Sequence, residues 1–271
     1  MLEKVSILKL ITFLYASSLI SYVNPSVFLV KDTYFIYSKK AHIIERTIYA
    51  ITTPNILLAI SLNDVTFSVK EIAYLHGGWK IPIYKVNYKG KEIAVYQTLI
   101  GAAGTAGLLE ETIAIGGKKF IFFGSCGTLE KEISRGHFVI PNEAYRDEGV
   151  SYHYAPSSDY IKVKNADKLA NVFKKLQVPY VTGKTWTTDA LYRETKGNMM
   201  LRKQEGCIVV DMECSAITAI AEFRNVDTYQ FFYGADTLDG EEWQSRGMLE
   251  TEKTASELYY LELAFKIAKE I

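Results

Sequence analysis

The sequence predicts an α/β domain built on a parallel or mixed sheet flanked by helices. Three features predict it. Short apolar runs that read as buried strands alternate with stretches of helical periodicity from about residue 56 to the end of the chain. Small-residue turns follow several of those strands, at Gly101–Thr105 and Gly124–Gly127. The stretch Cys207–Arg224, CIVVDMECSAITAIAEFR, reads as a buried strand running straight into a helix, with Ala216, Ile217, Ala219, Ile220 and Phe223 at helical spacing. Open α/β sheets present their ligand groups at the carboxyl ends of the strands, and this junction presents Asp211 and Glu213. Local chemistry also gives both acids an ordinary task. Asp211 suits an N-cap, and Glu213 complements the positive end of the helix dipole.

The chain has 271 residues, 48% of them apolar and 23% charged, which are globular values with room for one large domain. The formal net charge is zero, so no electrostatic footprint points to nucleic acid. Cys126, Cys207 and Cys214 show neither CxxC nor metal spacing and fit free thiols in a reducing cytoplasm. His42, His76, His137 and His153 are scattered, with no zinc-ligand pair among them. No metal or organic cofactor is implied.

The elements follow in order. Residues 1–30 form an apolar extension, in which Lys4 and Lys9 precede the run Leu10–Val23 and Pro25 closes it. A basic start before an apolar core resembles a signal peptide. The run is short for a span, which needs about 20 apolar residues, and its small residues lie inside it. It is expected to be neither cleaved nor membrane-spanning. Residues 31–271 form the domain. Ile56–Ile60 is a short buried strand and Val65–Leu75 a helix. Ile81–Val86 and Glu92–Thr98 are strands joined by a turn at Tyr88–Gly90. Gly101–Thr105 leads into a helix, Ala106–Ile115, closed by Gly116-Gly117. Phe120–Phe123 is a strand opening into the loop Gly124–Gly127. His137–Ile140 is a strand stopped by Pro141, followed by a polar, aromatic loop, Arg146–Pro156. Asn165–Leu176 is a helix, Thr185–Tyr192 a strand end and loop, and Arg193–Gln204 a helix. After the Cys207–Arg224 unit, Thr228–Tyr233 is a strand ending in Gly234-Ala235-Asp236, and Leu249–Lys269 is a long amphipathic helix.

Backbone amides of Gly101–Thr105 are placed to cradle an anion at a helix N-terminus, and Gly124–Gly127 sets the hydroxyl of Ser125 between glycines. Neither loop is a P-loop or a GxGxxG fingerprint, and each read by itself is a tight turn.

Taken together, the order GAAGTAGLLEE, FFGSCGTL, RDEGVSYHYAP, TTDALYRE, VVDMECSA, YGADTL resembles the nucleoside phosphorylase superfamily, which includes uridine phosphorylase, hexameric purine nucleoside phosphorylase and methylthioadenosine nucleosidase. The resemblance implies a single-domain nucleoside phosphorylase fold and a homo-oligomer acting on a small-molecule nucleoside in the cytoplasm. It implies that Glu213 holds the ribose hydroxyls with Met212 against the sugar. Ser125 would touch phosphate and ribose, and Gly101 and Gly124 would give phosphate their amides. Asp236 would protonate a purine at N7. The aromatic stretch Trp186–Arg193, with Trp186, Tyr192 and Arg193, would line the base pocket. These roles suit an oxocarbenium-like transition state, in which a carboxylate accepts two hydroxyl protons from a vicinal diol and an acid neutralises the leaving base.

The sequence departs from the family at the phosphate. The family's early Gly-Asp-Pro-x-Arg loop matches Ile60–Asp64, without arginine, and the arginine two residues before the glycine loop is Phe122 here. The arginine lent by a neighbouring subunit has no counterpart around Leu75–Trp79. Arg193 or Arg146 is left to supply charge. The expected activity is phosphorolysis of a purine nucleoside, with inorganic phosphate as co-substrate. Hydrolysis by water is the alternative, and a catalytically weak nucleoside-binding protein is the third reading.

Overall fold

The computed structural model describes residues 29–30, 33–34, 48–52, 69–75, 81–246 and 254–271, with side chains at 75, 81–246 and 259–271. The rest of the apolar extension, the strand expected at Ile56–Ile60 and the arginine-less stretch at Ile60–Asp64 lie outside the described residues.

Short strands β1 (Leu29–Val30) and β2 (Thr33–Tyr34) pair with each other. The main sheet contains β3 (Ile48–Thr52), β4 (Val69–Leu75), β5 (Ile81–Tyr88) and β6 (Lys91–Val95). It continues through β7 (Gly117–Thr128), β8 (Phe138–Asp147) and β9 (Tyr160–Lys162) to β10 (Tyr180–Thr188), β11 (Cys207–Asp211) and β12 (Asp227–Thr237). The helices are α1 (Ala102–Ala114), α2 (Ala166–Lys175), α3 (Lys196–Gln204), α4 (Cys214–Arg224) and α5 (Thr254–Glu270).

The strand order is β11-β10-β8-β12-β7-β3-β6-β5-β4, with β9 beside β8. Parallel and antiparallel pairs mix, as the sequence predicts: β12 runs parallel to β7 and antiparallel to β8. The order also closes on itself. β11 returns to pair antiparallel with β7, Val209 opposite Thr128 and Val210 opposite Gly127. Strands β7, β12, β8, β10 and β11 therefore form a closed ring, and the others extend from it as an open wing.

Side-chain alternation along β7 sets the layers. Ile121 and Phe123 face one side, in a core with Phe138 and Phe231, Leu169 and Phe173 of α2, and Leu261 and Phe265 of α5. Phe120 and Phe122 face the other, with Leu108 and Leu109 of α1 and Ile217 and Ile220 of α4. A buried Leu or Phe contributes about 1.5–3 kcal/mol, so these two faces fix which helices cover which side.

Several boundaries correct the sequence reading. The described part of Val65–Leu75 is strand β4, not helix. It pairs antiparallel with β5 from Val69↔Val86 to Leu75↔Ile81, and this ladder overrides the helical pattern. Gly124–Gly127 is no loop after a strand but the carboxyl half of β7, held by Ser125↔Tyr233 on one side and Gly127↔Val210 on the other. Pro141 does not stop its strand. It lies opposite Gly183, where the β10 register shifts, and such a bulge accommodates a residue with no N–H to give. Strand β12 likewise runs through Gly234-Ala235-Asp236 to Thr237. Helix α3 begins at Lys196, not Arg193, with the Thr195 hydroxyl accepting Asn198 N–H at 3.4 Å. No helix among the described residues is long and apolar enough to cross a membrane.

Candidate active site

Strand β11 runs antiparallel to β7, so its carboxyl end lies against the carboxyl half of β7, and β12 runs parallel along the other side of β7. Strand β11 ends at Asp211, and α4 starts three residues later. The link, Met212-Glu213, is the turn between them. Asp211 builds it: its Oδ2 accepts Glu213 N at 2.8 Å and Cys214 N at 2.6 Å, while its Oδ1 accepts the hydroxyls of Thr185 and Thr187, both at 2.8 Å. The local task expected for Asp211 is thus its observed one, and every lone-pair direction of this buried carboxylate is occupied.

Glu213 is not a cap in this sense, for its side chain makes no bond to its own helix. It turns away to α1, where Oε1 accepts the Gly101 amide at 2.6 Å. Gly101 has φ of +90°, a conformation that favours glycine, and it aims its N–H outward at the start of α1. The carboxylate therefore sits at a helix N-terminus, where backbone dipoles favour negative charge. Its pKa is nevertheless raised to about 7, because burial and then the Asp211 charge outweigh the Gly101 and Met212 amides. Met212 is half-buried beside it.

Asp236 arrives from β12. Thr128 of β7 donates its hydroxyl to the Asp236 carbonyl at 3.1 Å, and a Cβ built on Gly127 would lie 3.4 Å from Asp236 Oδ1. Burial, and then the charges of Asp211 and Asp236, push the Cys126 thiol well above its ordinary range. Ser125 is half-buried on β7, one position before Cys126, so alternation turns its side chain to the opposite face.

The structure thus ties Glu213 to Gly101 at the start of α1, and sets Gly124 and Ser125 of β7 opposite Phe232 and Tyr233 of β12, the strand that carries Asp236. It alters one role among them. The Gly101 amide is engaged by Glu213, while the amides that follow it have no intrahelical acceptor.

The aromatic stretch behaves differently. Trp186 is 1% exposed, packed with Leu129, Met199, Cys207 and Val210, and its indole N–H donates to Asp147 Oδ2 at 2.9 Å. Because Thr185 and Thr187 point at Asp211, alternation sends Trp186 to the other face of β10. It is a core residue with no face left for a base. Tyr192 is 93% exposed in the 3-10 turn Leu191–Arg193, and Arg193 beside it is exposed as well.

Arg146 is also accounted for. Its guanidinium is buried and donates to Ser151 Oγ (2.9 Å), Pro156 O (2.6 Å) and Ser158 Oγ (3.0 Å), with its plane 4.1 Å from the Tyr152 ring. It braces the loop after β8 and has no charge to lend to phosphate. Phe122 stays in the core under α1 and α4.

Two residues that the sequence does not mark lie at Asp236. Trp243 donates its indole N–H to Asp236 Oδ2 at 2.6 Å. Glu194 is half-buried, and its carboxyl is raised to about 7 by burial and then by the Asp236 charge. Both come from turns without periodicity, so no pattern in the sequence announces them. Among the described residues, no cluster of His, Cys, Asp and Glu has a metal-binding grouping.

Comparison with known proteins places this geometry. A family model described as the phosphorylase superfamily matches residues 57–259. A DeoD-type 1 purine nucleoside phosphorylase of Shewanella oneidensis is 28% identical over 157 residues, which are 56% of this chain and 65% of that protein. A DeoD-type purine nucleoside phosphorylase of Buchnera aphidicola subsp. Schizaphis graminum is 28% identical over 142 residues, 51% of this chain and 60% of that protein. The chain therefore spans somewhat under two thirds of the length of these relatives. The fold matches the crystal structure of a purine nucleoside phosphorylase from Toxoplasma gondii bound to immucillin-H, with a TM-score of 0.68 and 19% identity over 83% of this chain and 92% of that one.

Proposed function

The chain belongs to the phosphorylase superfamily, and from that premise we propose that it cleaves the N-glycosidic bond of a purine nucleoside, with phosphate as the acceptor. The observation that supports this reading best is that two carboxyl groups with different surroundings come from the two strands that flank the carboxyl half of β7. Glu213, after β11, is fixed by a backbone amide at a helix start, and Asp236, on β12, stands beside an N–H donor.

Glu213, once ionised, accepts the two ribose hydroxyl protons and holds the sugar as positive charge grows on its ring. Met212 packs against the sugar. Asp236, protonated, gives its proton to the base nitrogen as the C–N bond breaks, so the electron pair leaves on a neutral base. Such a proton transfer contributes about 10²–10⁴ in rate when the leaving group needs it. Ser125, Gly124 and the amides following Gly101 hold the phosphate.

Hydrolysis is the second reading, and specific observations favour it. Phe122 is buried where the family has an arginine, and Arg146 is bound to its own loop. Phosphate held by amides and one hydroxyl lacks the charge-assisted, bidentate bonds that bind it tightly. A nucleoside panel assayed for free base with and without phosphate decides between the readings. Phosphorolysis predicts ribose 1-phosphate and a high KM for phosphate. Free ribose at a rate independent of phosphate transfers the chain to the nucleosidases, and no base release from any nucleoside leaves a binding protein. The homo-oligomer and the cytoplasmic location belong to the same proposal. Sedimentation and cell fractionation test them.

A further inference from the structure

We propose that Trp243 is a positioning residue that makes the two oxygens of Asp236 unequal, tying Oδ2 and leaving Oδ1 to carry the proton that the leaving base receives. The proposal rests on the reading of Asp236 as the general acid.

A pinned turn builds this contact. After β12 the chain folds back on itself. Thr237 N donates to Gln244 O at 3.0 Å, and Gln244 N donates to Thr237 O at 3.1 Å. Three further bonds pin the turn to β7 and to the loop beyond it. Leu238 N reaches Thr128 O at 3.0 Å, Lys131 N reaches Asp239 Oδ2 at 3.0 Å, and Arg246 Nη1 reaches Ile133 O at 2.7 Å. The result sets the indole N–H of Trp243 on Asp236 Oδ2 at 2.6 Å, while the ring stays 52% exposed.

The other oxygen has different surroundings. Oδ1 is the atom that a Cβ on Gly127 would meet at 3.4 Å, so it faces the strand that carries Ser125. Glu194 adds a second carboxyl on the flank of Asp236. With one Oδ2 lone pair taken by an N–H, Oδ1 is the oxygen left to carry the proton that passes to the base. In the reaction the Oδ1–H bond breaks, the proton goes to the base nitrogen, and the C–N electron pair leaves with the base. Asp236 ends as a carboxylate. The Trp243 N–H bond strengthens as that charge forms, so it acts on the transition state more than on the bound substrate.

The test is Trp243→Phe, which keeps an aromatic ring and deletes the donor. With a purine nucleoside, kcat is expected to fall about 10-fold to 100-fold with KM little changed, the range of one charge-assisted hydrogen bond. With p-nitrophenyl riboside, whose leaving group needs no proton, kcat stays within about twofold of wild type. In an Asp236→Asn background Trp243→Phe adds nothing further, because the two residues act as one unit. Equal slowing of both leaving groups, or full additivity with Asp236→Asn, overturns the proposal. A readout independent of turnover separates it from the general-acid reading. The Trp243 indole N–H resonance, identified by its loss in Trp243→Phe, must move upfield in Asp236→Ala, which removes the acceptor. If it does not move, the proposal fails whatever the kinetics. If the wild type releases no purine while that resonance moves, the general-acid reading fails, and with it the catalytic consequence drawn here, but not the contact.

Discussion

Glu213→Gln separates what the position does for chemistry from what it costs the fold. Glutamine keeps the shape and an oxygen to accept the Gly101 amide, but it carries no charge. The folded chain holds the Glu213 proton up to about 7, against an ordinary value of 4.5. Raising a carboxyl that far corresponds to about 3 kcal/mol of ionisation cost at alkaline pH, at about 1.4 kcal/mol per pH unit. The sign is set by which state binds the proton longer. Below 4.5 both states are protonated and no penalty exists. As pH rises from 4.5 to about 7, the unfolded state gives up this proton while the folded state keeps it, so wild-type stability falls across that interval and levels off above it. The variant has no proton to lose. It should therefore match wild type near pH 4 and exceed it by about 3 kcal/mol at about pH 8. Urea unfolding at both pH values, with unchanged m-values, measures the gap. Turnover should meanwhile fall at least about a hundredfold, because two charge-assisted bonds to the ribose are lost. A stability gap that is the same at both pH values refutes the reasoning, and unchanged kinetics on a nucleoside that the wild type cleaves removes Glu213 from the sugar.

Asp236→Asn should slow purine release by about 10²–10⁴ while leaving a nitrophenyl leaving group nearly untouched, as steady-state kinetics on both substrates will show. Asp211→Ala should cost about 3–5 kcal/mol in denaturant melts, since it strands two amides and two hydroxyls inside the ring. Trp186→Ala should cost about 3–5 kcal/mol as well, with the ranking of bases unchanged, because Trp186 fills core. A changed base preference at retained stability would return Trp186 to the pocket.

Much of the fold and site is legible in the sequence where one local rule dominates. The Cys207–Arg224 unit declares itself through a run of buried residues followed by helical spacing. Gly101 is marked as an amide donor at a helix start, and the amide does donate, though its acceptor is a carboxylate 112 positions away that no local rule connects to it. The misplacements share a cause. Val69–Leu75 and Gly124–Gly127 mislead when read from their own composition, because their partners across the sheet decide their state. Trp186 is misassigned although the needed signal is present. In Thr185-Trp186-Thr187, alternation forbids the indole from sharing the face of the threonines, once those are known to serve Asp211. Trp243 and Glu194 leave no trace, because irregular turns place them and no periodicity governs such turns.

The closed ring has a consequence for the birth of the molecule. Its last rung joins Val209 to Thr128, and the contacts that finish the site span 108 and 112 positions. No fragment of the nascent chain contains half a site that could be useful early. Pairings so far apart must first meet the entropy of closing a long loop, and chains rich in them fold slowly. Competence should therefore arrive late and in one step, when the antiparallel rung between β7 and β11 forms. In pulse-labelling during refolding, the amides of Gly127, Thr128, Val209 and Val210 should gain protection together, after those of the β5–β6 hairpin, whose partners Tyr88 and Lys91 are joined by a short turn. A chain that protected the rung before the hairpin would have to nucleate where its residues are farthest apart.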